Sequence, residues 1–336
     1  MLKLGSSYFG NRIVKHVRKD MEELATHNFN QVIHCFNEND FWFYKETMKE
    51  IVDISHDLGL EVQVDPWGVG GIFGGEAFTV FVPRNWDAAQ VLSDGSKAAV
   101  ACPNQPAFRK FMHEWVESAL YIGADYVFWD EPHFYIPSWV KGKEGVWGCT
   151  CDACKEKYQE MYGADMSTTE LTPEVIEFRQ KCIAEFLEEM FEQVTDAGKK
   201  NCLCVFPTDD PTHGISDWNI VTSIKGLHQF GSDPYWVVDK SKVPRTMVKE
   251  FSDKVMEQCQ KNNLENQIWI QGFKISSGKE EDVQTAIETA LECGITNLAV
   301  WGFHACGHMS YIACDNSEKV WNIICRSFGT AVEKYK

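Results

Sequence analysis

Residues 123–135 read GADYVFWDEPHFY. Gly123 follows the amphipathic pattern of residues 106–121 and suits the left-handed position that closes a helix. An apolar run, Val127-Phe128-Trp129, then reads as a buried strand. The run ends in two adjacent acids, Asp130 and Glu131, followed by Pro132. Helix end, strand and polar strand terminus therefore succeed one another within one short stretch. Successive strand residues face opposite sides of a sheet. Both acids can serve one cavity only if the strand bends at its end. Pro132 is expected to hold Glu131 extended rather than helical.

The same unit recurs outward in both directions. Strands are predicted at 2–9, 31–36, 60–66, 125–130, 202–207, 227–234, 267–273 and 297–303. Amphipathic helical patterns fall at 12–28, 41–58, 106–121, 173–199, 215–225, 245–263, 279–293 and 317–332. Eight strand–helix units predict an α/β fold, a (β/α)8 TIM barrel with long loops after strands 3 and 4. Those loops cover residues 68–105 and 131–172. No Pro/Gly/Ser-rich linker divides the chain, so residues 1–336 are expected to form a single barrel domain.

Bulk properties narrow the function. The chain has 336 residues, 44% of them apolar and 24% charged, ample for a large core. Its formal net charge of −17 disfavours nucleic acid and anionic membranes as partners. No stretch is apolar for the roughly 18 residues needed to cross a bilayer. The N-terminal segment already reads as a strand rather than a secretion signal. Thirteen cysteines, many inside apolar strands or helices, suggest buried reduced thiols and a cytoplasmic location.

In an α/β barrel, chemistry sits at the C-terminal ends of the strands. Those ends carry Asp65 and Trp67; Trp129, Asp130, Glu131 and His133; Asp233, Tyr235 and Trp236; Gln271; and Trp301 with His304. Carboxylates beside indoles suit a sugar, which offers C–H faces to rings and hydroxyls to acids and amides. Glycosidic bonds are broken by a proton donor and a second group that attacks or stabilises the anomeric carbon. Glu131, Asp130 and Asp233 are the candidate catalytic residues. Asp65, Trp67, Trp129, His133, Tyr235, Trp236, Gln271, Trp301 and His304 are the candidate substrate-binding residues. Trp115 and Trp321 lie within helical patterns and are expected in the core.

The eight-unit pattern and the Trp129-Asp130-Glu131-Pro132-His133 ending resemble barrel glycoside hydrolases. The ending is similar to the Asn-Glu-Pro of clan A glycosidases, in which the Glu is the acid/base. That resemblance implies an acid/base role for Glu131, with Asp130 standing where those enzymes have Asn. It also implies a nucleophilic Glu at the seventh strand end, where this chain has Gln271. Adjacent Asp-Glu at the fourth strand also resembles substrate-assisted β-N-acetylhexosaminidases, which would make Asp130 an orienting group. α-Galactosidase-like barrels pair an Asp at strand four with one at strand six, matching Asp130 and Asp233. These patterns imply hydrolysis of a small oligosaccharide or glycoside with no cofactor required for catalysis. Two rivals stay open: a metal-dependent sugar isomerase or epimerase with Asp130, Asp233 and His304 as ligands, and a non-catalytic glycan-binding barrel, suggested by Gln271.

Three further motifs bear on the site. GCTCDACKEKYQEMYG (148–163) places Cys149, Cys151 and Cys154 at metal-like spacing. It is either a structural zinc site completed by Cys102 or a His, or a set of free thiols packed under a loop. FHACGHMSYIACD (303–315) offers His304, Cys306 and His308, read as a loop whose His304 reaches a sugar hydroxyl or Asp130. GVGGIFGG (68–75) lacks phosphate-loop spacing and is expected to be a mobile loop over the site.

Overall fold

In the computed structural model, which describes residues 2–237 and 243–335, eight parallel strands close into a barrel. They are β1 (Lys3–Tyr8), β2 (Gln31–Cys35), β3 (Glu61–Asp65), β4 (Tyr126–Asp130), β5 (Lys200–Val205), β6 (Leu227–Ser232), β7 (Glu265–Gln271) and β8 (Asn297–Trp301). Each pairs with its sequence neighbours, and β1 closes the ring against β8. The (β/α)8 barrel expected from the sequence is the fold observed.

The alternation of each strand divides the apolar residues into two layers. Tyr126, Phe128 and Asp130 of β4 face the barrel interior with Ile33, Cys202, Trp269 and Trp301. Val127 and Trp129 face outward into the larger layer between strands and helices, beside Trp115, Phe186 and Phe191. Burying each such large side chain contributes roughly 1.5–3 kcal/mol. Trp115 and Trp321 lie in this outer layer, as their helical positions implied.

The helix-to-strand connections are short, and both long excursions leave the C-terminal ends of strands. Gly123 closes the helix Pro106–Ile122 at φ 105° and delivers the chain into β4. The excursions hold structure that the sequence did not suggest. Ala89–Val91 and Lys97–Ala101 form an antiparallel hairpin, and Asp152–Tyr162 is a helix. The 41–58 segment is two helices, Glu38–Phe43 and Lys45–Asp57, the first opened by an Asn37/Asp40 capping box. Among the described residues, no helix is long and apolar enough to cross a membrane.

Candidate active site

Asp130 is the last residue of β4 and keeps that strand's inward alternation, 8% exposed. Glu131 would face outward if the strand ran on. Instead it adopts φ +43°, in the left-handed region. This corrects the expectation that Pro132 keeps Glu131 extended. A non-glycine residue held there costs on the order of 1–3 kcal/mol, a strain concentrated at functional sites. Neighbouring bonds hold it: Glu131 N–H donates to the Cys204 carbonyl (2.9 Å) and His133 Nδ1–H to the Glu131 carbonyl (2.6 Å). His133 is buried between Trp139 and Phe206, and burial lowers its pKa to about 4. Its Nδ1 is committed to the Glu131 carbonyl.

The turn brings Glu131 onto Asp233, which follows β6 and is 4% exposed. The two carboxyls face each other closely enough that the charge of Asp233 adds to burial in raising the pKa of Glu131. Burial is the leading cause that raises Asp130, Glu131, Asp233 and Asp65 above the carboxylate range, and their mutual repulsion adds to it. Asp233 is pushed up to about 8. Asp65, at the end of β3, is fully buried and accepts from the Cys35 thiol at 3.3 Å. One oxygen each of Asp65 and Asp233 is buried without a hydrogen-bond partner.

A fifth acid, Glu76, completes the cluster and was not singled out in the sequence. The indole N–H of Trp67 donates to its carboxylate at 3.1 Å, and Trp301 lies alongside. Burial raises its pKa, against the pull of Trp67, Trp301 and Lys274. Its signal was faint: one acid beside Gly74-Gly75, in an excursion that leaves the correct end of the barrel.

The glycine-rich segment is a pinned strap rather than the expected mobile loop. Val69, Ile72 and Phe73 are buried in the outer core. Buried Glu38 ties its ends by accepting from Gly70 N–H and Thr79 Oγ1, both at 2.8 Å, and from Val80 and Phe81 N–H. Gly74 N–H donates to the Asp130 carbonyl at 3.0 Å. A Cβ on Gly74 would lie 2.5 Å from Glu131 Oε2 and 2.6 Å from Asp130 Oδ2, so a side chain there would displace those carboxylates. Those two contacts also confine the two carboxylate oxygens to about 5 Å of one another or less.

Aromatic rings wall the acids on the β8 side. Phe9 stacks on Trp67 (5.0 Å) and packs on Trp301 (5.4 Å), which meets Trp269 edge-on. Tyr235 is half-buried against Phe273, and burial followed by the Asp233 charge raises its pKa. Asp65, Trp67, Tyr235 and Trp301 thus gather around Asp130, Glu131 and Asp233.

Three candidates, Trp129, Trp236 and His304, lie elsewhere, while Gln271, in register with Trp301 at the end of β7, has its amide taken up by backbone. Trp129 is completely buried in the outer core and donates its indole N–H to Asn201 Oδ1 (2.9 Å). The inward side chain of Asp130 requires this of its neighbour. Trp236 is half-buried against the outer core. The Gln271 amide accepts from Val237 N–H (3.0 Å) and donates to the Phe273 carbonyl (2.9 Å). His304 stacks on Phe303 and bonds Glu23 at 2.8 Å, facing a separate cavity of about 610 Å³ lined by Tyr8, Phe9, Asp20, His308 and Trp321. The ligand triad Asp130, Asp233 and His304 is therefore not assembled. Among the described residues, the set of three or more potential ligands whose donor atoms all lie within 4.8 Å of one another is Cys102, Cys149, Cys151 and Cys154.

Comparison with known proteins gives the same architecture. No family model and no curated protein matches the chain. Among solved structures, the catalytic domain of β-amylase from Paenibacillus polymyxa superposes with a TM-score of 0.69 at 11% identity, covering 99% of this chain and 98% of that one. An endo-1,4-β-mannanase from Rhizomucor miehei gives 0.62 at 10% identity, over 98% and 95%. A D-allulose 3-epimerase from Methylomonas sp. gives 0.52 at 9% identity, over 99% and 98%.

The chain has the barrel fold that these glycosidases share. At such identities the likeness concerns the fold, and the chemistry has to be argued from the acids themselves.

Proposed function

We propose that the protein hydrolyses the glycosidic bond of a small oligosaccharide or glycoside. One observation carries this reading. The left-handed turn at Glu131 puts its carboxyl beside Asp130 and onto Asp233, in a cluster walled by indoles. Glu131 is the general acid/base, and it holds with Asp233 the proton that passes to the leaving oxygen. Asp130 faces the anomeric carbon as nucleophile or orients the substrate, and water completes the cleavage. Trp67 and Trp301 offer ring faces to the sugar, while Asp65 and Glu76 accept from its hydroxyls. This chemistry needs no metal or other cofactor, and its substrate is a small carbohydrate rather than nucleic acid or membrane. Thirteen cysteines without a disulfide support a reducing, cytoplasmic setting.

The test is a panel of aryl glycosides assayed with the wild type and Glu131→Gln. Turnover of at least one substrate, reduced about 10²–10⁴-fold in the variant, is expected. Glycan binding without turnover across the panel would favour a non-catalytic barrel, the reading that Gln271 supports. Near-normal turnover in the variant would remove Glu131 from the mechanism.

A further inference from the structure

The two long excursions meet at four cysteines. Cys102 ends the first, just after the hairpin strand Lys97–Ala101, while Cys149, Cys151 and Cys154 belong to the second. All four are buried, at most 5% exposed. Their sulfurs lie within 4.8 Å of one another, with Cys102–Cys154 at 3.4 Å and Cys102–Cys151 at 3.7 Å. These separations are far longer than the roughly 2.05 Å of a disulfide. They are close to the edge, about 3.8 Å, of a tetrahedron whose sulfurs sit about 2.3 Å from a central ion. The interior of such a tetrahedron holds a single ion and has no room for a multi-iron cluster.

We propose that Cys102, Cys149, Cys151 and Cys154 bind one Zn²⁺ as a structural tetrathiolate that fastens the two excursions together over the barrel mouth. Four thiolates around a divalent ion carry net negative charge, and the surroundings answer it. Cys151 caps the helix Asp152–Tyr162 and Cys154 lies in its first turn, where the helix dipole favours anions. Donors point at the sulfurs: Asn104 Nδ2 at 3.3 Å from Cys154, Cys151 N–H at 3.5 Å from Cys149, and Gln105 Nε2 at 3.6 Å from Cys151. Hydrogen bonds of this kind orient and stabilise metal thiolates. Arg179, 1% exposed, braces the backbone beside the cluster by donating to the carbonyls of Gly148 (2.7 Å), Pro211 (2.8 Å) and Thr212 (2.9 Å).

The backbone around the cluster is already joined. Thr150 N–H donates to the Val91 carbonyl (2.7 Å), Ser93 N–H to Trp147 (2.8 Å), and Leu92 bridges Gly148. The ion would lock this small sheet to the helix behind it. All four ligands are sulfur and no position is open to water, so the site is structural. This inference does not depend on the glycosidase reading.

The test uses the full chain purified without chelators. Elemental analysis is expected to give close to one zinc per chain, and zinc-edge X-ray absorption four sulfurs at about 2.3 Å. A mercurial reagent should release the zinc as the thiols react. The double substitution C102S/C149S should lower zinc to background and weaken hydrogen-exchange protection across 89–102 and 147–162. If that variant does not fold, the absorption spectrum of the wild type still decides. Protein that is folded but free of zinc, bound iron in place of zinc, nitrogen or oxygen ligation, or an intact mass showing disulfides would each overturn the proposal.

Discussion

The two ends of this barrel are both rich in charge, and they treat it in opposite ways. At the N-terminal end, Lys3 bonds Glu61 (2.9 Å), Glu265 (3.1 Å) and the Tyr126 hydroxyl (3.2 Å), and Lys200 bonds Tyr126 at 3.0 Å. Burial works against the charge of Lys3, but its bonds to Glu61 and Tyr126 outweigh that and raise its pKa. Each charge faces its opposite, and the ring plugs the barrel. At the C-terminal end, Asp65, Glu76, Asp130, Glu131 and Asp233 crowd together, and burial, with repulsion between neighbouring acids added at Asp65, Asp130, Glu131 and Asp233, raises their pKa values. Paired charges of this kind hold a fold together. Buried like charges cost stability and are kept where proton transfer needs them.

The contrast should break first at Glu131. Glu131→Gln is expected to lower turnover about 10²–10⁴-fold while the melting temperature stays level or rises, since it relieves repulsion. Trp129→Ala should cost about 3–5 kcal/mol in denaturant unfolding, as loss of a core indole does. Trp67→Ala should instead raise KM with a smaller loss of stability. A Trp129 variant that raised KM while unfolding normally would return that indole to the sugar pocket.

Acidity sharpens the comparison further. Asp233 is raised from the ordinary carboxylate range to about 8, so the folded protein holds a proton there that the unfolded chain releases. Stability from this site is therefore greatest below about pH 4 and declines as pH rises toward 8. Asp233→Asn should flatten that part of the stability curve and shift the alkaline limb of kcat/KM. The smallest effect belongs to the opposite end. Lys3→Met should cost about 1 kcal/mol, reduced by salt, with turnover unchanged.

Much of this was legible in the sequence. Glycine caps and alternating apolar runs determine the eight units because each is set by local chemistry. The acids ending β4 and β6 stood out because a buried strand seldom runs into carboxylates without a purpose. Trp129 was misjudged, although the alternation that turns Asp130 inward already turns Trp129 outward. Glu76 was hidden because its place depends on how Gly68, Gly74 and Glu38 fold the strap, contacts that span dozens of residues. The strain at Glu131 was equally out of reach, since the bonds that hold it come from Cys204 and His133. His304 looked like a ligand group only until its partner, Glu23 on the first helix, was visible.

Infrared difference spectroscopy between the wild type and the Glu131→Gln and Asp233→Asn variants tests the shared proton without needing a substrate. At neutral pH the wild type is expected to show a protonated-carboxyl stretch that both substitutions abolish or shift. Carboxyls fully ionised at neutral pH, with no such band to lose, would contradict the account.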